Sequence, residues 1–460
     1  MNFSIIQKSQ LEGALRIDPD YYQQEYLFAV ETIKKTRHKR LEDMISLLTD
    51  YHANGSYQIL SRNVNLSENP DYALMVRAID LEKNDYESDV RYVSRHAYDF
   101  LKKTKMYGQE IIIDKIGNAG EVFLMPNLEK PITLGMNLFM LRLKEGYEPA
   151  YVYSFLISKY GKALVYQRLT GTAPPSIDKE SVRGILIPLP SKRTNQVVKS
   201  IIEDYFKMLE ESKKLYSQAE DLLLEELGLK NAVFEDELSY LVNYSDVISD
   251  NRIDPEYFQP KYQKLIGKIK NQNSKTLGEL VFIKKGFEPG SEVYQEEGKL
   301  FIRVSSVSKL GIEEKDQKYL SEELYQKLKK DYEPKVGDIL LTKDATPGIA
   351  YVIKEQIEGI ISGGILDLKV KDNIESEYLA LCISSIVGQW QAQRDAGGSI
   401  IAHWKPEQVR NLIIPILLEE IQKEITDLVR KSHEARKKSK ELLEQAKKEV
   451  EEMIEKGGES

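Results

Sequence analysis

The sequence predicts an α+β chain in which two pseudo-repeated, strand-rich domains are separated by two long antiparallel coiled-coil helices. Three observations predict it. Short segments recur in the same order about half a chain apart. Each copy carries β-branched runs that end in glycine-bearing turns. Each copy closes on a long proline-free stretch with apolar or small residues alternating by four and three.

The repeat comes first, because a missed repeat misassigns the whole fold. Ile17-Asp18-Pro19-Asp20-Tyr21-Tyr22 returns 236 residues later as Ile253-Asp254-Pro255-Glu256-Tyr257-Phe258. The stretch Tyr92–Lys103 returns at an offset of 227 as Tyr319–Lys330, with six of twelve positions identical. In that register Tyr151 meets Tyr378, Gly161 meets Gly388, Gly171 meets Gly398, Val182-Arg183 meets Val409-Arg410, and Ile187-Pro188 meets Ile414-Pro415. The shrinking offset gives the first copy about nine extra residues early on.

Within each copy, an Asp-Pro-acid-aromatic entry leads to strand-like runs, among them Glu110-Ile111-Ile112-Ile113 and Asp338-Ile339-Leu340-Leu341. These run into the turns Ile116–Gly120 and Ala345–Gly348. Short helical stretches follow near 148–168 and 375–394, then a second glycine loop, then the Ile-Pro pair. The first long helix presents the seam Val198, Ile202, Tyr205, Leu209, Ser212, Tyr216, Ala219, Leu223. The second presents Ile421, Ile425, Leu428, Ser432, Ala435, Ser439, Leu442, Ala446 and Met453, with Val450 standing in for Glu449. Two such stripes are most economically buried against each other. The boundaries implied are residues 1–190 and 231–416 for the strand-rich domains, and 191–230 and 417–460 for the helices.

Composition excludes several classes. A net charge of −8 argues against a simple nucleic-acid binder, since affinity for DNA comes largely from cations on phosphates; any DNA site is a local basic face or draws on a partner's charge. One cysteine, Cys382, in an apolar stretch excludes a disulfide framework and a cysteine zinc site. The five histidines have no metal spacing. No apolar run approaches the roughly 20 residues that cross a bilayer, and the first residues lack a signal-peptide pattern, so a cytoplasmic location is expected.

Two copies of a strand-rich domain, each ending in a Gly171-to-Pro190 or Gly398-to-Pro415 approach and a heptad helix, resemble the specificity subunit of type I restriction-modification systems. The entry segments and the strand lead Lys335-Val336-Gly337-Asp338-Ile339-Leu340 are similar to that family too, and the resemblance covers the whole chain. Tyr107-Gly108-Gln109-Glu110-Ile111 departs from the Gly-Asp-Ile form in the first copy. The resemblance implies two target recognition domains, each reading half of a bipartite double-stranded DNA site, with the helices as a spacer. It implies two methyltransferase subunits and nuclease-translocase subunits as partners that carry the chemistry. No catalytic residue, cofactor, metal or membrane is expected for this chain. Rigid two-fold pseudo-symmetry suits a site in two spaced halves.

Asp18-Pro19-Asp20-Tyr21, Asp254-Pro255-Glu256-Tyr257 and Asn69-Pro70-Asp71-Tyr72 are similar to the Asp/Asn-Pro-Pro-Tyr site of amino-methyltransferases, but an acid replaces the second proline in all three. A turn that starts a helix is the preferred reading. An adenine methyltransferase and a coiled-coil scaffold without a DNA role are the alternatives. The glycine turns do not match a phosphate-binding loop. They are read first as tight turns and second as places where a main chain approaches DNA. Candidate DNA contacts in the first copy are Arg77, Lys102, Lys103, Lys115, Asn118, Arg168 and Thr172. Those in the second are Lys284, Lys285, Arg303, Lys329, Lys330, Lys343, Thr346, Arg394 and Ser399. Arginine there would fork onto guanine or phosphate, or form a structural ion pair. His403, beside Trp404, is read as a packed loop aromatic before a base contact.

Overall fold

The computed structural model describes residues 4–9, 11, 16–171, 173–313, 317–371, 374–397 and 402–457. The chain divides into two compact units, Met1–Lys207 with Lys438–Ser460, and Met208–Lys437. Both long helices are therefore shared between the units.

In the first unit, Ile45–Asp50, Leu138–Leu143, Ile111–Asp114 and Val122–Leu124 form an antiparallel sheet in that order. Ile111, Ile112 and Ile113 are buried on both faces, which is why this run carries no polar alternation. A second sheet orders Arg91–Val93, Ala73–Val76, Ile132–Leu134 and Lys105–Met106, with one parallel pair, Ala73–Val76 beside Ile132–Leu134.

The second unit repeats the plan. Val281–Lys285, Ile365–Val370, Ile339–Thr342 and Ala350–Val352 make the antiparallel sheet. Lys318–Leu320, Lys299–Ile302 and Gly359–Ile361 make the other, again with one parallel pair. A two-stranded closure ties the ends of each strand-rich part: His38–Arg40 with Leu186–Pro188, and Ser274–Thr276 with Ile413–Pro415. Over each closure a buried tyrosine donates to the proline carbonyl, Tyr151 to Pro188 at 2.9 Å and Tyr378 to Pro415 at 2.8 Å. This explains two of the repeat's matches.

The entry segments repeat as well. The Arg16 guanidinium binds Asp18, lies 4.8 Å over the Tyr21 ring and donates to the Leu169 carbonyl at 3.1 Å. Arg252 does the same with Asp254, the Tyr257 ring at 4.6 Å and the Asp395 carbonyl at 3.3 Å. Pro19 and Pro255 each open a single helical turn. The third Asp-Pro-like segment differs from expectation. Asn69-Pro70-Asp71-Tyr72 leads into the strand Ala73–Val76, because the four residues after Tyr72 are apolar and fully buried.

The helices Lys192–Glu226 and Glu419–Glu455 are each about 50 Å long. They run antiparallel: the end of the first accompanies the start of the second in one unit, and the start of the first accompanies the end of the second in the other. Val198, Ile202, Leu209, Tyr216, Leu223, Ile425 and Leu442 are buried, while Tyr205, Ile421 and Leu428 are half-buried. Val429 and Thr426, outside the four-three pattern, are buried, because the start of the second helix also packs on its own domain's core. Ser432 Oγ donates to the Ser212 carbonyl at 2.7 Å, so the small seam residues bring two backbones close. Cys382 is buried in the helix Ser376–Ser384, where desolvation pushes its thiol up to about 12.

Candidate nucleic-acid interface

The two glycine loops, separated by some fifty residues, meet in each unit. In the first, Ile116 and Thr170 both bridge to Ser176, and the Ile177 amide donates to the Lys115 carbonyl at 3.1 Å. In the second, Asp344 and Gly397 both bridge to His403, and the Trp404 amide donates to the Lys343 carbonyl at 2.8 Å. Backbone pairing between loops needs no particular side chain, so the same frame presents different groups in the two copies.

The glycines in these turns have two separate jobs. A Cβ on Gly120 would meet Val165 Cγ1 at 3.0 Å, and one on Gly348 would meet Gln389 Nε2 at 2.7 Å, so both serve packing against the following helices. Gly117 has φ +98° and open space where its Cβ would be. Ala345 stands in the matching position of the second copy with φ +60°. A left-handed alanine costs roughly 1 kcal/mol or more, which the converged loops must hold in place.

Electrostatics differ as well. Asp50, at the end of its strand, accepts from Lys179 at 3.1 Å and Lys115 at 3.4 Å. Burial opposes its ionisation, yet the two ammonium groups hold its carboxyl below the usual range. In the second unit Asp344 lies between Lys343 Nζ at 2.5 Å and His403 Nδ1 at 2.8 Å; burial again works against ionisation, and these partners pull the carboxyl below its ordinary value. His403 is exposed, whereas Trp404 is fully buried and is the packed aromatic.

The remaining candidates fall into distinct groups. Asn118 and Thr346 are exposed on the converged loops, with Asn118 Nδ2 donating to Glu82 at 2.7 Å. Arg77 and Arg303 both end strands and cap the next helical turn; Arg77 binds Asp80 at 2.7 Å and also the Asp89 carbonyl. Arg168 donates to the carbonyls of Leu164 at 2.7 Å and Gly184 at 3.1 Å, and burial lowers its pKa. Arg394 binds Asp395 at 2.7 Å and lies over the Tyr257 ring. Lys284 and Lys285 are exposed and pair with Asp331 and Glu288. Lys102, Lys103, Lys329 and Lys330 are exposed. Thr172 and Ser399 lie outside the described residues. The geometry adds Asp50, Lys179, Ser176 and Asp344 to the loops. Only the repeat register hinted at Ser176, which aligns with His403.

The description "type I restriction modification DNA specificity domain" matches residues 35–220 and again 269–451. The chain belongs to the type I restriction-modification DNA specificity family. The two matches make this specificity chain a tandem of the family's domain, and DNA sequence specificity is the family's function. The entry segments precede each matched region. Similar solved structures include the S subunit of a type I system from M. genitalium, at 15% identity and a TM-score of 0.39, covering 92% of this chain and 96% of that one. The HsdS subunit of Thermoanaerobacter tengcongensis is similar at 15% identity and a TM-score of 0.27, covering 91% and 96%. The type IIG restriction endonuclease BpuSI matches at 11% identity and a TM-score of 0.31, covering 47% and 36%. No curated protein matches the specificity chain. Among the described residues no helix is long and apolar enough to cross a membrane, and no cluster of three or more His, Cys, Asp or Glu is arranged for a metal.

Proposed function

We propose that this chain is the non-catalytic, sequence-reading subunit of a cytoplasmic restriction-modification assembly. Each unit reads one half of a bipartite duplex site. Two methyltransferase subunits, joined by nuclease-translocase subunits, are directed to that site and carry the chemistry. The observation that carries the reading is the twofold convergence of glycine loops on a common backbone frame with different groups at the tips: Lys115, Ile116 and Asn118 in one copy, Lys343, Asp344, Thr346 and His403 in the other. Base edges are distinguished by donor, acceptor and methyl patterns, so differing tips on a shared frame read differing half-sites. Arg168 and Arg394 act by shaping the second loop's base, and Arg77 by fixing the turn after its strand. The long helices act as the spacer.

The methyltransferase alternative is disfavoured by chemistry at the entry segments. An Asp-Pro-x-Tyr site needs a free carboxylate to accept from a base amino group, and Asp18 and Asp254 are engaged by Arg16 and Arg252, which hold both carboxyls below their usual range. The test is a chimera in which residues 236–415 are exchanged for another family member's second domain, with methylated sites mapped in the host. One half-site changes and the other stays. A change in both halves sinks the reading.

A further inference from the structure

The two copies share a fold but not a surface charge. Arg95–Phe100 is a short helix, capped by Ser94, that continues into the turn Lys102–Thr104 and the strand Lys105–Met106. Four cations stand here, Arg95, Lys102, Lys103 and Lys105, against one carboxylate, Asp99. Asp99 is engaged by Lys105 at 3.2 Å and more loosely by Arg95 at 3.9 Å. Lys102 and Lys103 are exposed, and no carboxylate among the described residues pairs with either. Aromatic rings are interleaved with the cations: Lys105 Nζ sits 4.0 Å from the Tyr98 ring, Tyr98 is 5.5 Å from Tyr72, and Arg95 lies over Tyr72.

This patch is fixed to the converged loops of its own unit. Asn54 Oδ1 accepts from the Lys103 amide at 2.9 Å, and Asn54 Nδ2 donates to Thr104 Oγ1 at 3.0 Å. Asn54 ends the turn that begins just after Asp50, the acceptor of Lys115 and Lys179. A single turn of chain thus joins the unpaired lysines to the loop lysines.

The equivalent helix of the second unit carries no net charge. The helix Glu322–Tyr332 aligns Glu322 and Glu323 with Arg95 and His96, and Lys329 and Lys330 with Lys102 and Lys103. The helix carries three lysines, Lys327, Lys329 and Lys330, and three carboxylates, Glu322, Glu323 and Asp331. Lys327 pairs with Glu323 at 2.7 Å, Lys299 reaches Glu322 at 3.6 Å, and Lys284 holds Asp331 at 3.4 Å. Among the described residues Lys329 and Lys330 form no such close pair, but they stand on a helix with as many carboxylates as cations, and Lys329 adds to the pull that holds Glu322 and Glu333 below their usual range. A phosphate approaching this flank meets a weaker positive potential than at Lys102 and Lys103, and fewer counterions are released.

We propose that the first unit is the electrostatic anchor of the chain: Lys102 and Lys103, beside the Tyr72–Tyr98 pair, clamp the phosphate backbone of duplex DNA, while the second unit docks with a nearly neutral flank. The proposal rests on the reading that both units face duplex DNA. It explains how a chain with net charge −8 holds an anionic polymer. Sequence-independent grip is concentrated on one unit.

The experiment measures binding of the full-length chain to a mixed-sequence duplex over a range of low salt concentrations. It compares wild type with Lys102→Ala/Lys103→Ala and Lys329→Ala/Lys330→Ala. Loss of two phosphate contacts flattens the slope of log K against log salt by roughly 2. The first variant should show this change, and the second should show less than half of it. All four side chains are exposed, so circular dichroism should be unchanged in both variants. An equal or larger change in the second variant overturns the proposal, as does an unchanged slope in a folded first variant. A wild-type chain that binds no duplex even at low salt fails differently: it removes the DNA-reading function itself.

Discussion

Two carboxylates in matching places of the two units meet opposite fates. Glu110 and Asp338 each stand at the head of a buried strand and accept from the amide three residues earlier, Tyr107 at 2.9 Å and Lys335 at 2.8 Å. In the first unit the neighbouring strand supplies Arg142, whose guanidinium binds Glu110 at 3.0 Å. In the second, the residue matching Arg142 is the exposed Lys369, and the next inward-facing position places Asp367 against Asp338. Asp367 is 5% exposed and its Oδ1 has no hydrogen-bond partner in the protein. Burial, with the adjacent Asp338, pushes its carboxyl up to about 7. The backbone frame is repeated, whereas the charges set into it are not. The frame therefore tolerates divergence wherever a side chain does not shape it.

The largest expected effects test the shared frame. Val198 and Ile425 are equivalent, one on each long helix, and both are fully buried. Val198→Asp and Ile425→Asp each place a charge in the seam or the core beneath it, at a cost of several kcal/mol. Denaturant midpoints should fall sharply for both. A normal midpoint for either shows that this helix is not buried in solution.

Glu110 and Asp367, the carboxylate buried against Asp338, come next, and they should respond with opposite sign. Asp367 ionises in the unfolded chain near pH 4 and in the folded chain near 7. The folded state therefore loses stability progressively as pH rises from about 4 to about 7. Asp367→Asn should raise the thermal midpoint at pH 8 and change it little at pH 4. Glu110→Gln breaks a half-buried ion pair and should lower the midpoint at pH 8, by about 1–3 kcal/mol in stability. Equal signs for the two variants at pH 8 would contradict the comparison.

Tyr151→Phe and Tyr378→Phe remove the same buried bond from the two closures. Each should cost about 1 kcal/mol, measured by urea unfolding. A clear inequality would show that one closure is not under the load its geometry suggests. The smallest effect concerns the loop turns. Ala345→Gly relieves a left-handed alanine and should stabilise by no more than about 1 kcal/mol, while Gly117→Ala should destabilise by a similar amount. Two destabilising outcomes would mean the Ala345 side chain contributes packing that outweighs its strain.

Much of this was legible in the residues because it depends on local periodicity. The strand runs at 111–113 and 339–341, the helices that follow, and the proline-opened entries at 19 and 255 all carry local signals. Asn69-Pro70 misled because the same dipeptide opens a helix or an extended run, and the buried Ala73–Val76 decides which. Candidate cations were harder to sort. Arg168 and Lys103 are both basic residues near a loop, yet one is turned onto backbone carbonyls and the other onto solvent.

The sequence by itself determined that this protein is a tandem: two copies of one strand-rich plan, each closed by a heptad helix. It could do so because hydrophobic period, glycine placement and repeat register are written along the chain. The tertiary structure alone decided which groups stand together. Ile116 meets Ser176, Asp344 meets His403, Asp50 gathers Lys115 and Lys179, and Asp367 is pressed on Asp338. These partners lie some thirty to one hundred and thirty residues apart, and contacts at that range come from sheet register and loop docking, which no local pattern encodes.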